Sequence, residues 1–157
     1  MMIKLVLSRP EKLEKNFIES LKKSADNTVL VLSSKPYDLL KDDLVKVSKG
    51  RHFLFIDTID KPSENGVIYL SGENLTSLSI AINQSQQSFT GKVTILFDSI
   101  TNLAIRNNLD VLVKFFSFIL YRSHEWDVDL VFVLPKGSTD EKLVALIKQS
   151  ADKIEVR

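Results

Sequence analysis

The chain alternates short apolar runs with longer amphipathic segments, and this alternation limits the folds that it can adopt. Runs such as VLVL and VTILF are continuous and rich in β-branched residues, which is typical of strands covered by helices on both faces. Strand followed by helix, repeated five times along the chain, indicates right-handed crossovers between parallel strands. The pattern therefore predicts an α/β protein, a three-layer sandwich with a mainly parallel central sheet.

We expect the strands and helices at the following positions. The strands are Ile3 to Ser8, Thr28 to Ser33, Phe53 to Asp57, Val67 to Ser71, Val93 to Asp98, Asp129 to Leu134 and Lys153 to Val156. The helices are Pro10 to Ser24, Tyr37 to Val47, Leu75 to Ser88, Leu109 to His124 and Thr139 to Ser150. Because no repeat, low-complexity stretch or long linker divides the 157 residues, we expect a single domain over 1–157.

Composition excludes several classes of function. The chain has no cysteine, which excludes disulfides, thiolate catalysis and cysteine-ligated metal or iron–sulfur sites. Lys and Arg number 21 against 20 Asp and Glu, and the net charge of +1 does not indicate binding to nucleic acid. The apolar start over residues 1–7 is interrupted by Lys4 and is too short for a signal peptide, and no window approaches a membrane span. We therefore expect a cytoplasmic protein without membrane contact.

The clearest chemical signal is VTILFDSITNL, residues 93–103, in which an apolar strand ends in Asp98 and Ser99. This segment resembles the Walker B strand of RecA and KaiC relatives in the P-loop ATPase superfamily, whose aspartate holds the magnesium of bound ATP. The segments GVIYLSGENLTSLSIAI, DLVFVLPKGSTDEKL and SADKIEVR are similar, in the same order, to archaeal KaiC-like domains. The resemblance covers about residues 28–157 and implies a RecA/KaiC-like central sheet. Judged by its residue type alone, Asp98 also fits a side-chain cap of the following turn.

The sequence departs from that family where ATP chemistry would take place. Its first glycine is Gly50, whereas the phosphate loop GxxxxGK[ST] needs glycines directly after the first strand. Residues 8–14 read SRPEKLE instead, in which the proline lacks a backbone donor and Ser8 with Glu11 has the spacing of a capping box. The acidic catalytic residue that the resemblance implies after the second strand is replaced by SSKP, residues 33–36. We therefore expect an inactive ATPase-like domain with no catalytic residues, no cofactor and no metal.

Two other interpretations of the strand-end residues remain open. A receiver-like phosphoacceptor domain would use Asp98 and Lys136, but it needs an acidic pair after the first strand, where Ser8 and Arg9 stand. A small-ligand-binding protein or an enzyme would use Asp98, Ser99 and Lys136 together. That second alternative requires a concave site on which the three side chains converge.

Several other polar residues are expected to be structural. Asp57 and Asp60 fit an exposed turn. The spacing of serine and glutamate in residues 138–141 predicts a second capping box at the start of the last helix. His52 and His124 lie at the edges of predicted elements, and neither has a serine or aspartate at a spacing that suggests a catalytic triad.

The segment LDVLVKFFSFILYRSHEW, residues 109–126, carries two apolar stripes at helical spacing. The stripe that we expect to bury against the sheet consists of Leu109, Leu112, Phe116 and Ile119. The second stripe consists of Val111, Phe115 and Phe118, and it predicts either an interface or a wide core face under a neighbouring loop. Together with the lost phosphate loop, an interface favours an interaction, regulatory or sensory module. Its protein partner would be a second copy of the chain or an active relative.

Overall fold

A seven-stranded parallel sheet organises the chain, which the computed structural model describes over residues 1–64 and 66–157. The strands are β1 (Ile3–Ser8), β2 (Asn27–Leu32), β3 (His52–Asp57), β4 (Val67–Tyr69), β5 (Val93–Asp98), β6 (Asp129–Pro135) and β7 (Lys153–Val156). The helices are α1 (Leu13–Lys22), α2 (Tyr37–Ser48), α3 (Leu75–Gln87), α4 (Thr101–Arg106), α5 (Leu109–Trp126) and α6 (Glu141–Ser150). The strand order is β4-β3-β2-β5-β6-β1-β7, and each pairing between these strands is parallel.

Helices cover both faces of the sheet and confirm the predicted α/β sandwich of three layers. On one face, α1 and α2 bury Phe17 and Leu44 in a cluster with Leu30 of β2. On the other face, α3, α5 and α6 pack over a second cluster, in which the ring of Phe116 lies 5.6 Å from that of Phe97. All six residues of β5 are buried. This double burial is the physical reason that the central strands are continuous apolar runs.

The largest differences from the expected helices are the start of α1 and the presence of α4. A 3-10 turn over Pro10–Lys12 precedes α1, which begins at Leu13 instead of Pro10. The short helix α4 is not predicted by the sequence pattern. Its start is held by Ser33, whose carbonyl and hydroxyl accept the backbone N–H groups of Asn102 and Leu103 at 2.8 and 3.2 Å. Because these contacts join residues that are about 70 positions apart in the sequence, the local sequence pattern does not predict α4.

Three helices begin at side-chain caps that satisfy free backbone donors. Asn74 and Asn108 each accept an N–H group three residues ahead, at 3.0 Å, at the starts of α3 and α5. At the start of α6, Asp140 accepts the N–H of Lys142 at 2.8 Å. The capping box predicted over residues 138–141 is therefore wrong, because Asp140 takes the position of the N-cap.

Candidate functional site

The edge of the sheet where the strands end, here named the carboxyl edge, holds a cavity of about 250 Å³. We name it the Asp98 cavity. It lies on the α1/α2 side, beside the connections that follow β1 and β2. Its lining includes Glu11, Leu13, Glu14, Phe17, Lys35 and Asp98. Because parallel strands end at one edge, the topology collects these side chains from segments that are far apart in the sequence.

Asp98 carries a buried carboxylate that has no hydrogen-bond partner among residues 1–64 and 66–157. The residue is 3% exposed, and within the described part of the chain its carboxylate oxygens make no hydrogen bond. Burial raises the pKa of Asp98 to about 7, with a further increase from Glu14 and an opposing decrease from Lys35. A carboxyl group with this pKa is partly ionised at neutral pH, and its charged form gains from any donor or cation that reaches it.

An ion pair between Glu14 and Lys35 borders the Asp98 cavity. The Nζ atom of Lys35 lies 2.6 Å from Oε2 of Glu14, and this hydrogen bond raises the pKa of Lys35. Both side chains are exposed enough for water to screen their attraction. The ammonium group of Lys35 is therefore bonded to Glu14, and no cation of the described residues contacts the carboxylate of Asp98.

Three backbone N–H groups of the connection after β1 donate to carbonyls of the chain itself. The N–H of Arg9 donates to Arg157 at 3.0 Å, and that of Lys12 donates to Arg9 at 2.9 Å. The N–H of Leu13 donates to the carbonyl of Pro10, which has no N–H of its own. A phosphate loop instead directs successive N–H groups at its anion. The donors of Arg9, Lys12 and Leu13 are thus already used within the fold.

Ser8 and Glu11 do not form the predicted capping box. The hydroxyl of Ser8 donates to the carbonyl of Arg9 at 2.9 Å and accepts the side-chain amide of Asn16 at 2.7 Å. The residue that precedes α1 is Lys12, which makes no side-chain cap. The prediction was wrong because the 3-10 turn moves the start of the helix away from Ser8.

Ser99 follows Asp98 in the left-handed region of backbone space, with φ of 62°. Its hydroxyl accepts the N–H of Thr101 at 3.2 Å and lies 2.6 Å from the Thr101 hydroxyl. Ser99, and not Asp98, therefore makes the side-chain bonds of this turn, and the interpretation of Asp98 as its cap is wrong. A left-handed conformation is costly for a serine, and such strain recurs at functional sites.

Lys136 lies apart from Asp98. It lines a cavity on the α6 side of the sheet, whereas the Asp98 cavity is on the α1/α2 side. Its backbone N–H donates to the carbonyl of Ser8 at 2.8 Å. Ser99 is fully buried. The three strand-end residues proposed from the sequence are therefore not brought together in one cavity, and only Asp98 lines the cavity next to β1.

Asp57, which we expected in an exposed turn, is buried. Its carboxylate accepts the backbone N–H of Tyr37 at 2.8 Å, at the first residue of α2, and burial raises the pKa of Asp57. It lines a smaller cavity of about 160 Å³ together with Thr58 and Asn102. One signal could have revealed it, because FLFID ends a strand in aspartate as VTILFD does. Asp60 is exposed, as expected.

The second apolar stripe of α5 is divided between the core and the surface. Phe115 is 7% exposed, and its ring lies 5.0 Å from that of Phe116. It belongs to the core, which corrects its assignment to an interface. Val111 and Phe118 are 42% and 41% exposed and line a shallow groove between α3 and α5. Tyr121 is exposed one turn beyond Phe118. We name Val111, Phe118 and Tyr121 the α5 surface.

Comparison of the sequence with protein-family models and with curated proteins finds no match. Within residues 1–64 and 66–157, no three His, Cys, Asp or Glu side chains are grouped closely enough to hold a metal ion. In the same ranges, no helix is both long enough and apolar enough to cross a membrane.

Proposed function

We propose that the chain is a degenerate RecA/KaiC-like domain that does not hydrolyse ATP and acts as an interaction, regulatory or sensory module. The main support for this proposal is the hydrogen bonding of the connection after β1. The N–H groups of Arg9, Lys12 and Leu13 donate to carbonyls of the chain. Glu11 and Glu14 line the cavity beside this connection. Carboxylates at this place repel a triphosphate, and donors already bonded cannot bind one without breaking those bonds.

The placement of Asp98 supports the RecA/KaiC resemblance. In that resemblance, the aspartate acts on a nucleotide held by the loop after the first strand. Asp98 ends β5, and β6 alone separates β5 from β1 in the sheet. The Asp98 cavity also reaches from Asp98 to the residues that follow β1. These strand positions support the proposed resemblance, although the residues of the loop differ.

The α5 surface supports a role in binding protein. Val111, Phe118 and Tyr121 expose apolar side chains on one helix, and each 100 Å² of apolar surface buried by a partner stabilises a complex by about 2.5 kcal/mol before the cost of association. The partner in this proposal is a second copy of the chain or an active relative. The cytoplasmic location expected from the sequence stays a prediction.

The first test concerns nucleotide. We expect isothermal titration with Mg-ATP to show no binding at micromolar concentrations, because three of the N–H donors after β1, those of Arg9, Lys12 and Leu13, are bonded to carbonyls of the chain. Glu11→Gln and Glu14→Gln together are expected not to restore binding, since they remove repulsion but leave the same three backbone N–H groups bonded within the chain. Saturable binding by the wild-type protein that disappears in Asp98→Ala would contradict the proposal.

The second test concerns the α5 surface. Val111→Ser with Phe118→Ser is expected to raise the dissociation constant of self-association at least about tenfold, which corresponds to roughly 1.4 kcal/mol. Sedimentation equilibrium measures the constant, and a thermal melt checks that the fold is intact. Leu39→Ser is the matched control, because Leu39 is an exposed apolar residue of α2, outside the α5 surface. The prediction fails if the double variant associates as the wild-type protein does, or if the wild-type protein stays monomeric at high concentration.

A further inference from the structure

The proposed function uses the α5 surface and the connection after β1, but it assigns no ligand to the Asp98 cavity. Three carboxylates line the cavity, those of Glu11, Glu14 and Asp98, against the single ammonium group of Lys35. Lys35 is bonded to Glu14. Asp98 is 3% exposed, makes no hydrogen bond among the described residues and lines the cavity. A carboxylate this deeply buried, with no donor among the described residues, is costly to ionise and can accept hydrogen bonds from a group inside the cavity.

We propose that the Asp98 cavity binds a small organic cation, a primary ammonium group on a short apolar chain. The ammonium group would donate hydrogen bonds to the carboxylate of Asp98, which has free acceptor positions. The apolar chain would contact Leu13, Phe17 and Leu40, which form the non-polar part of the lining. The volume of about 250 Å³ is below the range of drug-sized ligand sites and suits a molecule of few heavy atoms.

The lining argues against the other ligand classes. An anion would meet Glu11, Glu14 and Asp98 with only Lys35 to attract it, and that ammonium group is already bonded to a carboxylate. A metal ion needs several ligands at short, fixed distances, and the side chains of the described residues form no such group. A primary ammonium group needs only a few acceptors, and its apolar chain uses the rest of the lining.

The charge of Lys35 is expected to weaken the binding of a cation in the Asp98 cavity. Its ammonium group already contacts Glu14 at 2.6 Å, so it occupies an acceptor that a ligand would otherwise use. Its positive charge also opposes the entry of a second cation. Removal of the Lys35 charge is therefore expected to strengthen binding, whereas removal of the Asp98 charge is expected to weaken it.

The probe is n-propylamine at pH 8, where the amine is protonated and Asp98, with a pKa of about 7, is mostly ionised. Isothermal titration is expected to show saturable binding by the full chain. Asp98→Asn is expected to lower the affinity at least about tenfold, the loss of one charge-assisted hydrogen bond. Glu14→Gln is expected to lower it less, and Lys35→Met to raise it. Asp60→Asn is the control, because Asp60 is an exposed carboxylate after β3 that does not line the cavity.

Neutral n-propanol separates the contribution of the charge from that of the apolar chain, and it is expected to bind much more weakly. Absence of saturable propylamine binding would overturn the inference. Equal affinities in the wild-type protein and Asp98→Asn, with both folded by thermal melt, would overturn it as well. The inference is independent of the α5 surface, so its failure would leave the proposed interaction module untouched.

Discussion

Asp98→Asn is expected to make the fold more stable at pH 8, by up to about 4 kcal/mol, and to leave its stability near pH 4 almost unchanged. Burial raises the pKa of Asp98 to about 7 in the folded chain, against an ordinary value of 3.8. Because the folded state binds this proton more tightly, the contribution of Asp98 to stability is complete below about pH 4 and is lost as the pH rises through 7. Asparagine is neutral throughout, so the variant avoids that loss.

Urea unfolding of both proteins between pH 4 and pH 8 measures this effect. The difference between the two free energies of unfolding should widen from about pH 4 to pH 7 and then level off. Asp60→Asn removes an exposed carboxylate. Its free energy of unfolding should change with pH in the same way as that of the wild-type protein. Parallel curves for Asp98→Asn would contradict the prediction, because they would mean that the Asp98 carboxylate is as well solvated in the folded state as in the unfolded chain.

Phe115→Ala is expected to destabilise the protein by about 3 to 5 kcal/mol, whereas Phe118→Ala should cost less than about 1 kcal/mol. Phe115 is buried and its ring meets that of Phe116 edge-on, so truncation leaves a cavity in the core. Phe118 lies in the same helix with its ring partly in water, and the guanidinium of Arg122 lies 5.3 Å from its centre. Truncation of Phe118 therefore removes surface contacts only.

Urea unfolding of the two single variants at one pH gives the comparison directly. The result decides how an interface on α5 can be probed. If the losses differ as expected, a variant that changes both rings would lose stability for reasons unrelated to association, and Val111 with Phe118 is the appropriate pair. Equal losses in the two variants would mean that the burial difference between these rings does not control stability.

The architecture was predictable from the sequence because the strands are buried on both faces. β2 and β5 read as unbroken apolar runs, and that pattern indicates a parallel sheet without knowledge of the strand order. The short helix α4 was not predictable, since its start depends on Ser33, about 70 residues earlier in the chain. The same limit applies to the start of α1, where a 3-10 turn displaced the capping box expected at Ser8.

The site was predictable only in part. A carboxylate that ends an apolar strand lies at the carboxyl edge, so the position of Asp98 at this edge was predictable. Which side chains surround it depends on the strand order and on the face of the sheet. Glu14 and Lys35 follow strands on either side of β5 in the sheet and therefore meet beside Asp98, whereas Lys136 turns to the opposite face. Periodicity also could not separate Phe115 from Phe118, because both lie on the boundary of the buried arc of α5.

The position of β1 between β6 and β7 has a consequence for how the chain acquires its fold. β1 is synthesised before the other six strands of the sheet, but Ile3 pairs with Leu130 and Lys4 with Lys153. The block β2-β3-β4-β5 can assemble earlier, from residues 27–98. Until residues 129–156 are synthesised, β1 is an apolar strand with two open edges. Such long-range closure slows folding and prolongs the interval in which an unpaired strand can join another chain.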